Sequence, residues 1–183
     1  MILKEWTEHL KSISLNIGGE LKITKRPSLG ENYEYFLAQI TIRHNKNDVI
    51  IEQLFTKLDY ENFGAGKIIF SYEFENSFDF LLYIYEREFF EKLFNRKRVK
   101  TEDALFDSRF TIKANKEELA KKIFHNKELQ NQFLSNCLLI LNISSKNHVV
   151  KIRMKDLEEK LYNEIEYLKM LDSVRFIIDT IIK

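Results

Sequence analysis

The chain has 183 residues, of which 44% are hydrophobic and 13% aromatic, enough for a globular core of ordinary domain size. Five glycines and one proline, where average usage gives about one residue in eight, exclude a disordered linker or a collagen-like repeat and leave little for phosphate-cradling loops. With 29 basic against 28 acidic side chains the net charge is +1, so no global field draws the protein toward nucleic acid or an anionic membrane.

Met1-Ile-Leu-Lys-Glu-Trp6 carries charges where a signal peptide would have its apolar region. Residues 5–17 space Trp6, Leu10, Ile13 and Ile17 by 4, 3 and 4, and Gly18-Gly19 follows as a stop, which predicts an amphipathic first helix. The period then changes from helical to alternating. Leu21 and Ile23, then Phe36, Ala38, Ile40 and Ile42, then Val49-Ile50-Ile51 read as three strands of an antiparallel meander. Breakers at Lys25-Arg-Pro27-Ser-Leu-Gly30 and His44-Asn-Lys-Asn-Asp48 separate them.

Asn62-Phe-Gly-Ala-Gly66 stands ahead of a fourth strand, Ile68–Phe74, and Glu75-Asn76-Ser77 reads as a turn before a strand over Phe78–Tyr85. A short helix over 87–95 completes that reading. Positions 78, 81, 82, 85, 89 and 93 also make a helical stripe, so a single helix from Ser77 to Asn95 is the alternative. Asn95-Arg-Lys-Arg-Val-Lys-Thr-Glu-Asp103 is a charged connection, the best candidate for a subdivision of what otherwise reads as one domain over 1–183.

Downstream, Phe110–Ala114 alternates as a strand, and Asn115 with Glu118 makes a capping-box pair for a helix ending at Phe124. A second short helix covers 127–136. Leu138–Ile143 and His148–Met154 are strands around Ser144-Ser-Lys-Asn147. Asp156 with Glu159 is expected to cap a final helix carrying Leu157, Leu161, Ile165, Leu168, Leu171, Val174, Ile178 and Ile181. At about 27 residues that helix would be about 40 Å long. The fold class is therefore α+β: a mainly antiparallel sheet with an N-terminal helix, two short mid-chain helices and a long C-terminal helix.

The common catalytic signatures fail position by position. Gly66-Lys67 has Glu61 where a P-loop needs glycine and Ile68 where it needs a hydroxyl residue, and no Gly-x-Gly-x-x-Gly or Gly-x-Ser-x-Gly occurs. His9, His44, His125 and His148 stand far apart without zinc spacing, and read as surface or turn residues. Cys137 lies in the apolar run Cys137-Leu-Leu-Ile-Leu141, the setting of an inert core thiol in a reducing, cytoplasmic compartment. Neither a cofactor nor a metal is expected. An enzyme would have to assemble its site in three dimensions from carboxylates such as Glu86, Glu88, Glu91, Asp103 and Asp107, with Arg109 as a candidate cationic member. The densest basic run, Arg96-Lys97-Arg98 with Lys92 and Lys100, adjoins Phe89, Phe90 and Phe94 and offers a weak anion-binding surface diluted by Glu88, Glu91, Glu102 and Asp103.

Leu105-Phe-Asp-Ser-Arg-Phe-Thr-Ile-Lys-Ala-Asn115 resembles a recurrent pattern of bacterial domains of unknown function, Phe-Asp-x-x-Phe-x-Ile/Val-x-x-Asn followed by helix, helix, hairpin and helix. Phe106, Asp107, Phe110, Ile112 and Asn115 match it, over about residues 68–183. The resemblance implies an α+β domain and carries no catalytic mechanism. On the residues alone, Phe106 and Phe110 anchor a turn leading into a strand, Asp107 accepts backbone N–H groups in that turn, and Arg109 pairs with Asp107 or with a carboxylate on the facing strand. Asp107, Arg109, Arg96, Lys97 and Arg98 are the candidate binding residues. The expected function is a noncatalytic binding or accessory module in a bacterial cytoplasm, its partner another protein or a second copy through the terminal helix.

Overall fold

In the computed structural model, which describes residues 3–27, 34–57, 63–76, 79–87, 98–136, 139–158 and 162–182, the change of sequence period marks where helix gives way to sheet. Helix α1 (Leu3–Asn16) buries Trp6, Leu10 and Ile13 on one side. It ends in a Schellman motif: Gly18 takes a φ of 71°, its N–H donates to Leu15 O at 3.2 Å, and the Gly19 N–H donates to Ser14 O at 2.7 Å.

Strands β1 (Glu20–Arg26), β2 (Glu34–His44), β3 (Asn47–Lys57) and β4 (Phe63–Glu75) pair antiparallel in sequence order, as the meander reading expects. Alternation decides the core face. Phe36, Ala38, Ile40 and Ile42 of β2 are buried opposite Phe55, Gln53, Ile51 and Val49 of β3. The Trp6 ring packs 3.9 Å from that of Phe55.

Gly64 and Gly66 lie inside β4, not ahead of it. The register shifts between Gln53 and Phe55, and a Cβ on Gly66 would stand 2.6 Å from Leu54 O, so glycine here permits a close backbone approach at a bulge. Gln53 donates from Nε2 to Gly66 O at 3.0 Å and accepts the Tyr167 hydroxyl at 2.8 Å, satisfying a buried amide that strict alternation would have made apolar.

The remaining strands are β5 (Leu82–Glu86), β6 (Phe110–Ala114), β7 (Leu139–Lys146) and β8 (Val149–Asp156). The strand order is β1-β2-β3-β4-β8-β7-β5-β6, and β5 is antiparallel to both β6 and β7. Strand is therefore the outcome for residues 82–86, in place of the single-helix alternative; the expected helix over 87–95 lies largely outside the described residues, as does Cys137. The chain divides into two compact units, residues 1–72 with 155–172 and residues 73–154 with 173–183.

Within the second unit, a short helix α2 (Ala104–Arg109) occupies the segment expected to be a turn, capped by Asp103 Oδ1 on the Phe106 N–H at 2.9 Å. Helices α3 (Glu117–Phe124) and α4 (Lys127–Ser135) follow. Buried phenylalanines of α2, β6, α3 and α4 form one aromatic cluster: Phe106 lies 5.0 Å from Phe110 and 5.6 Å from Phe124, and Phe133 lies 5.6 Å from Phe110. The α3 cap differs from expectation. Its N-cap residue is Lys116, with no side-chain cap bond, because Asn115 turns back to accept the Leu81 N–H at 2.8 Å.

The C-terminal helix α5 (Glu164–Ile182) has 19 residues, about 28 Å, and starts later than expected. Strand β8 runs on to Asp156, whose buried carboxylate accepts the Glu158 N–H at 2.9 Å. Capping passes to Asn163 and Glu166: Asn163 Oδ1 accepts the Glu166 N–H at 3.0 Å, and Glu166 Oε2 accepts the Asn163 N–H at 2.9 Å. From there Tyr167, Leu171, Val174, Ile177, Ile178 and Ile181 are buried. Asn163→Ala is expected to lower the unfolding free energy by about 1 kcal/mol and Asn163→Ser by much less. Denaturant melts that show no difference between Asn163→Ala and wild type would mean the box contributes nothing.

Candidate functional site

The sequence-predicted residues Arg98, Asp107 and Arg109 meet around α2, all within the second unit. Arg96 and Lys97 lie outside the described residues. Asp107 accepts from the Thr101 backbone N–H, at 3.0 and 3.2 Å to its two oxygens, and from Thr101 Oγ1 at 3.0 Å. Its carboxylate thus folds residues 101–107 into a closed turn, the backbone-accepting role read from the sequence. Arg98 Nη1 donates to the Asp107 carbonyl at 2.6 Å. Arg109 donates to Leu134 O at 2.9 Å and reaches Glu86 Oε1 at 3.5 Å, so of its two anticipated partners it takes the carboxylate on the facing strand.

Other charges here are also committed to local structure. Lys127 Nζ donates to Asp103 Oδ2 at 2.7 Å, and this bond, followed by the Phe106 N–H, holds the Asp103 carboxyl below the usual carboxylate range. Glu86, Asp103 and Asp107 each serve a different partner. Among the described residues no group of three or more His, Cys, Asp or Glu side chains is placed to hold a metal. His9 Nε2 lies 3.0 Å from Tyr162 O, and His148 sits in the β7–β8 turn.

A second arrangement, on the opposite face of β5, was not among the sequence candidates. Leu82 and Ile84 point into the core, so Tyr83 and Tyr85 point outward. Tyr83 is opposite Lys113 of β6 on one side and Asn142 of β7 on the other. The β7–β8 turn has both central residues left-handed, Asn147 at φ 52° and His148 at φ 61°, a two-residue type I′ turn that sets Lys146 against Val149. Counting back along both strands sets Arg153 against Asn142, which gives the transverse row Lys113, Tyr83, Asn142, Arg153.

Beside this row lies an open hollow of about 380 Å³, lined by Leu81, Tyr83, Lys113, Asn115, Asn142 and Ser144 among others. Leu81 is 46% and Tyr83 39% exposed, large apolar surfaces that folding leaves in water. The Tyr83 and Tyr85 rings stand 5.0 Å apart, and Lys113 Nζ lies 5.1 Å from the Tyr85 ring centre. The lining offers amides, hydroxyls and one ammonium, with no carboxylate, so it supplies contacts for a ligand but no acid–base pair.

No protein-family model matches the chain, and neither a curated protein nor a solved structure does. No described helix is long and apolar enough to cross a membrane.

Asp107→Ala removes the acceptor of a buried Thr101 N–H and hydroxyl and is expected to lower stability by about 1–3 kcal/mol. Asp107→Asn keeps an acceptor oxygen and should recover part of the loss. Chemical denaturation in which Asp107→Ala matches wild type would show that the turn is held elsewhere.

Proposed function

We propose that the protein is a noncatalytic binding module that docks a protein partner on the outward face of β5, β6 and β7. A bacterial cytoplasmic setting accompanies this reading, supported by the motif at Phe106–Asn115 and the single cysteine. The observation that carries the function is the exposed Leu81–Tyr83 pair beside a hollow without carboxylates. Tyrosine supplies a large amphipathic contact with few rotatable bonds, which is why it concentrates at interfaces, and here strand pairing already fixes its backbone.

Self-association through α5 has less material. Ile165 and Ile182 are its exposed large apolar side chains among the described residues, near opposite ends, while the stripe between them is mostly buried. The basic segment near Arg98 is also a weaker docking site, because Arg98 and Arg109 already bond backbone carbonyls.

The test is affinity capture from cells by wild type and by a Leu81→Ser, Tyr83→Thr double variant with matched melting temperature. Truncating a central tyrosine contact costs about 2 kcal/mol or more, so a partner retained by wild type is expected to fall at least about thirtyfold. Equal retention by both proteins would remove this face from the function.

A further inference from the structure

We infer that the β5–β7 face takes an extended acidic segment of pattern acidic-x-apolar-x-acidic, lying across the strands, an inference that rests on the docking reading above. Lys113 and Arg153 stand at the two ends of the transverse row, with β5 and β7 between their strands. Three interstrand spacings separate them, about 14 Å. An extended chain covers about 13 Å in four residues and points side chains i, i+2 and i+4 to one face. One carboxylate therefore meets Lys113, the central side chain enters the hollow beside Leu81 and Tyr83, and the second carboxylate meets Arg153.

Charge on this face agrees with that occupant. Arg153 is exposed and makes no ion pair or hydrogen bond among the described residues. Lys151, its neighbour on the same side of β8, is already paired with Glu73. The Lys113 ammonium is held over the Tyr85 ring, which keeps it on the open face. A polynucleotide fits less well: the net charge is +1, Glu73 neutralises Lys151, and Lys113 already covers one ring face.

The probe is the labelled peptide acetyl-Gly-Glu-Ser-Phe-Ser-Glu-Gly-amide, titrated by fluorescence anisotropy at low salt with resonance assignments locating its contacts. Binding is expected to centre on Tyr83 and to weaken severalfold when both Glu are replaced by Gln, and about tenfold when Phe is replaced by Ala. Lys113→Glu with Arg153→Glu, both at exposed positions, should abolish binding of this peptide and admit its Lys-for-Glu counterpart. Equal, Tyr83-dependent binding of the Gln peptide would overturn the charge pattern while leaving the docking face standing. No binding by any peptide, with partner capture still sensitive to Tyr83→Thr, would overturn the extended occupant alone; loss of both would remove the face altogether. Displacement of the peptide by oligouridylate, or the same resonances shifting with protein concentration alone, would replace the occupant with nucleic acid or a second copy and overturn the inference.

Discussion

A slip of β5 by one residue would bury Tyr83 and expose Ile84, since side chains alternate with a period of two and the pairing register decides which set faces the core. Both the aromatic core and the outward row depend on that register, and bonds at each end of the strand hold it. At one end, Asn115 accepts the Leu81 N–H with its side chain and donates its own N–H to Leu81 O at 3.1 Å. At the other, the Arg87 N–H donates to Arg109 O at 2.7 Å. Outside β6, Val99 adds a bridge to Ile112, covering part of what would otherwise be an open edge.

The arginines divide into those consumed by folding and those left to solvent, and local charge density does not decide which. Arg98 and Arg109 bond carbonyls at or near helix C-termini, Asp107 O in α2 and Leu134 O in α4, groups that have no partner within their own helices. A guanidinium satisfies such carbonyls well because it presents several donors in a fixed plane. Arg153 stands apart in sequence from the densest basic run. It reaches the outward face only because the β7–β8 turn places its strand beside Asn142.

Those facts explain how much was legible in the sequence. The strands read clearly because alternation and breakers are local: β1 to β3, β6 and the hairpin fall close to where expected, while β4 starts five residues earlier than its alternation shows and β5 occupies the second half of the segment read as strand and extends to Glu86. Helix ends were harder. Two acidic or amide residues, Asp156 and Asn163, each precede a glutamate by three positions, and only long-range burial decides between them: Asp156 ends a strand with its carboxylate buried, which leaves the cap to Asn163. Asn115 was diverted in the same way, to a residue 34 positions away. The Phe-Asp-x-x-Phe segment announced its own turn but not the helix α2 that forms it. For the site, period two already placed Tyr83 and Tyr85 opposite Leu82 and Ile84. What alternation could not supply was the strand order that sets Lys113, Asn142 and Arg153 in line.

Scarcity of glycine and proline bears on how tightly such a face can bind. The row sits on paired strands rather than on a long loop, so little backbone order has to be gained on binding. Its contacts are nevertheless few. A central tyrosine contact is worth about 2 kcal/mol, and each exposed ion pair about 0.2–1 kcal/mol at moderate salt. Together these come to at most about 4 kcal/mol, which for a short free segment gives an affinity of about millimolar or weaker. Tighter association would require either a segment already held extended on a folded partner or further contacts along the same sheet face. Under the docking proposed above, an open face with a hollow flanked by Lys113 and Arg153 would suit reversible engagement, in which complementary charge placement would select the partner and the buried apolar side chain would set its lifetime.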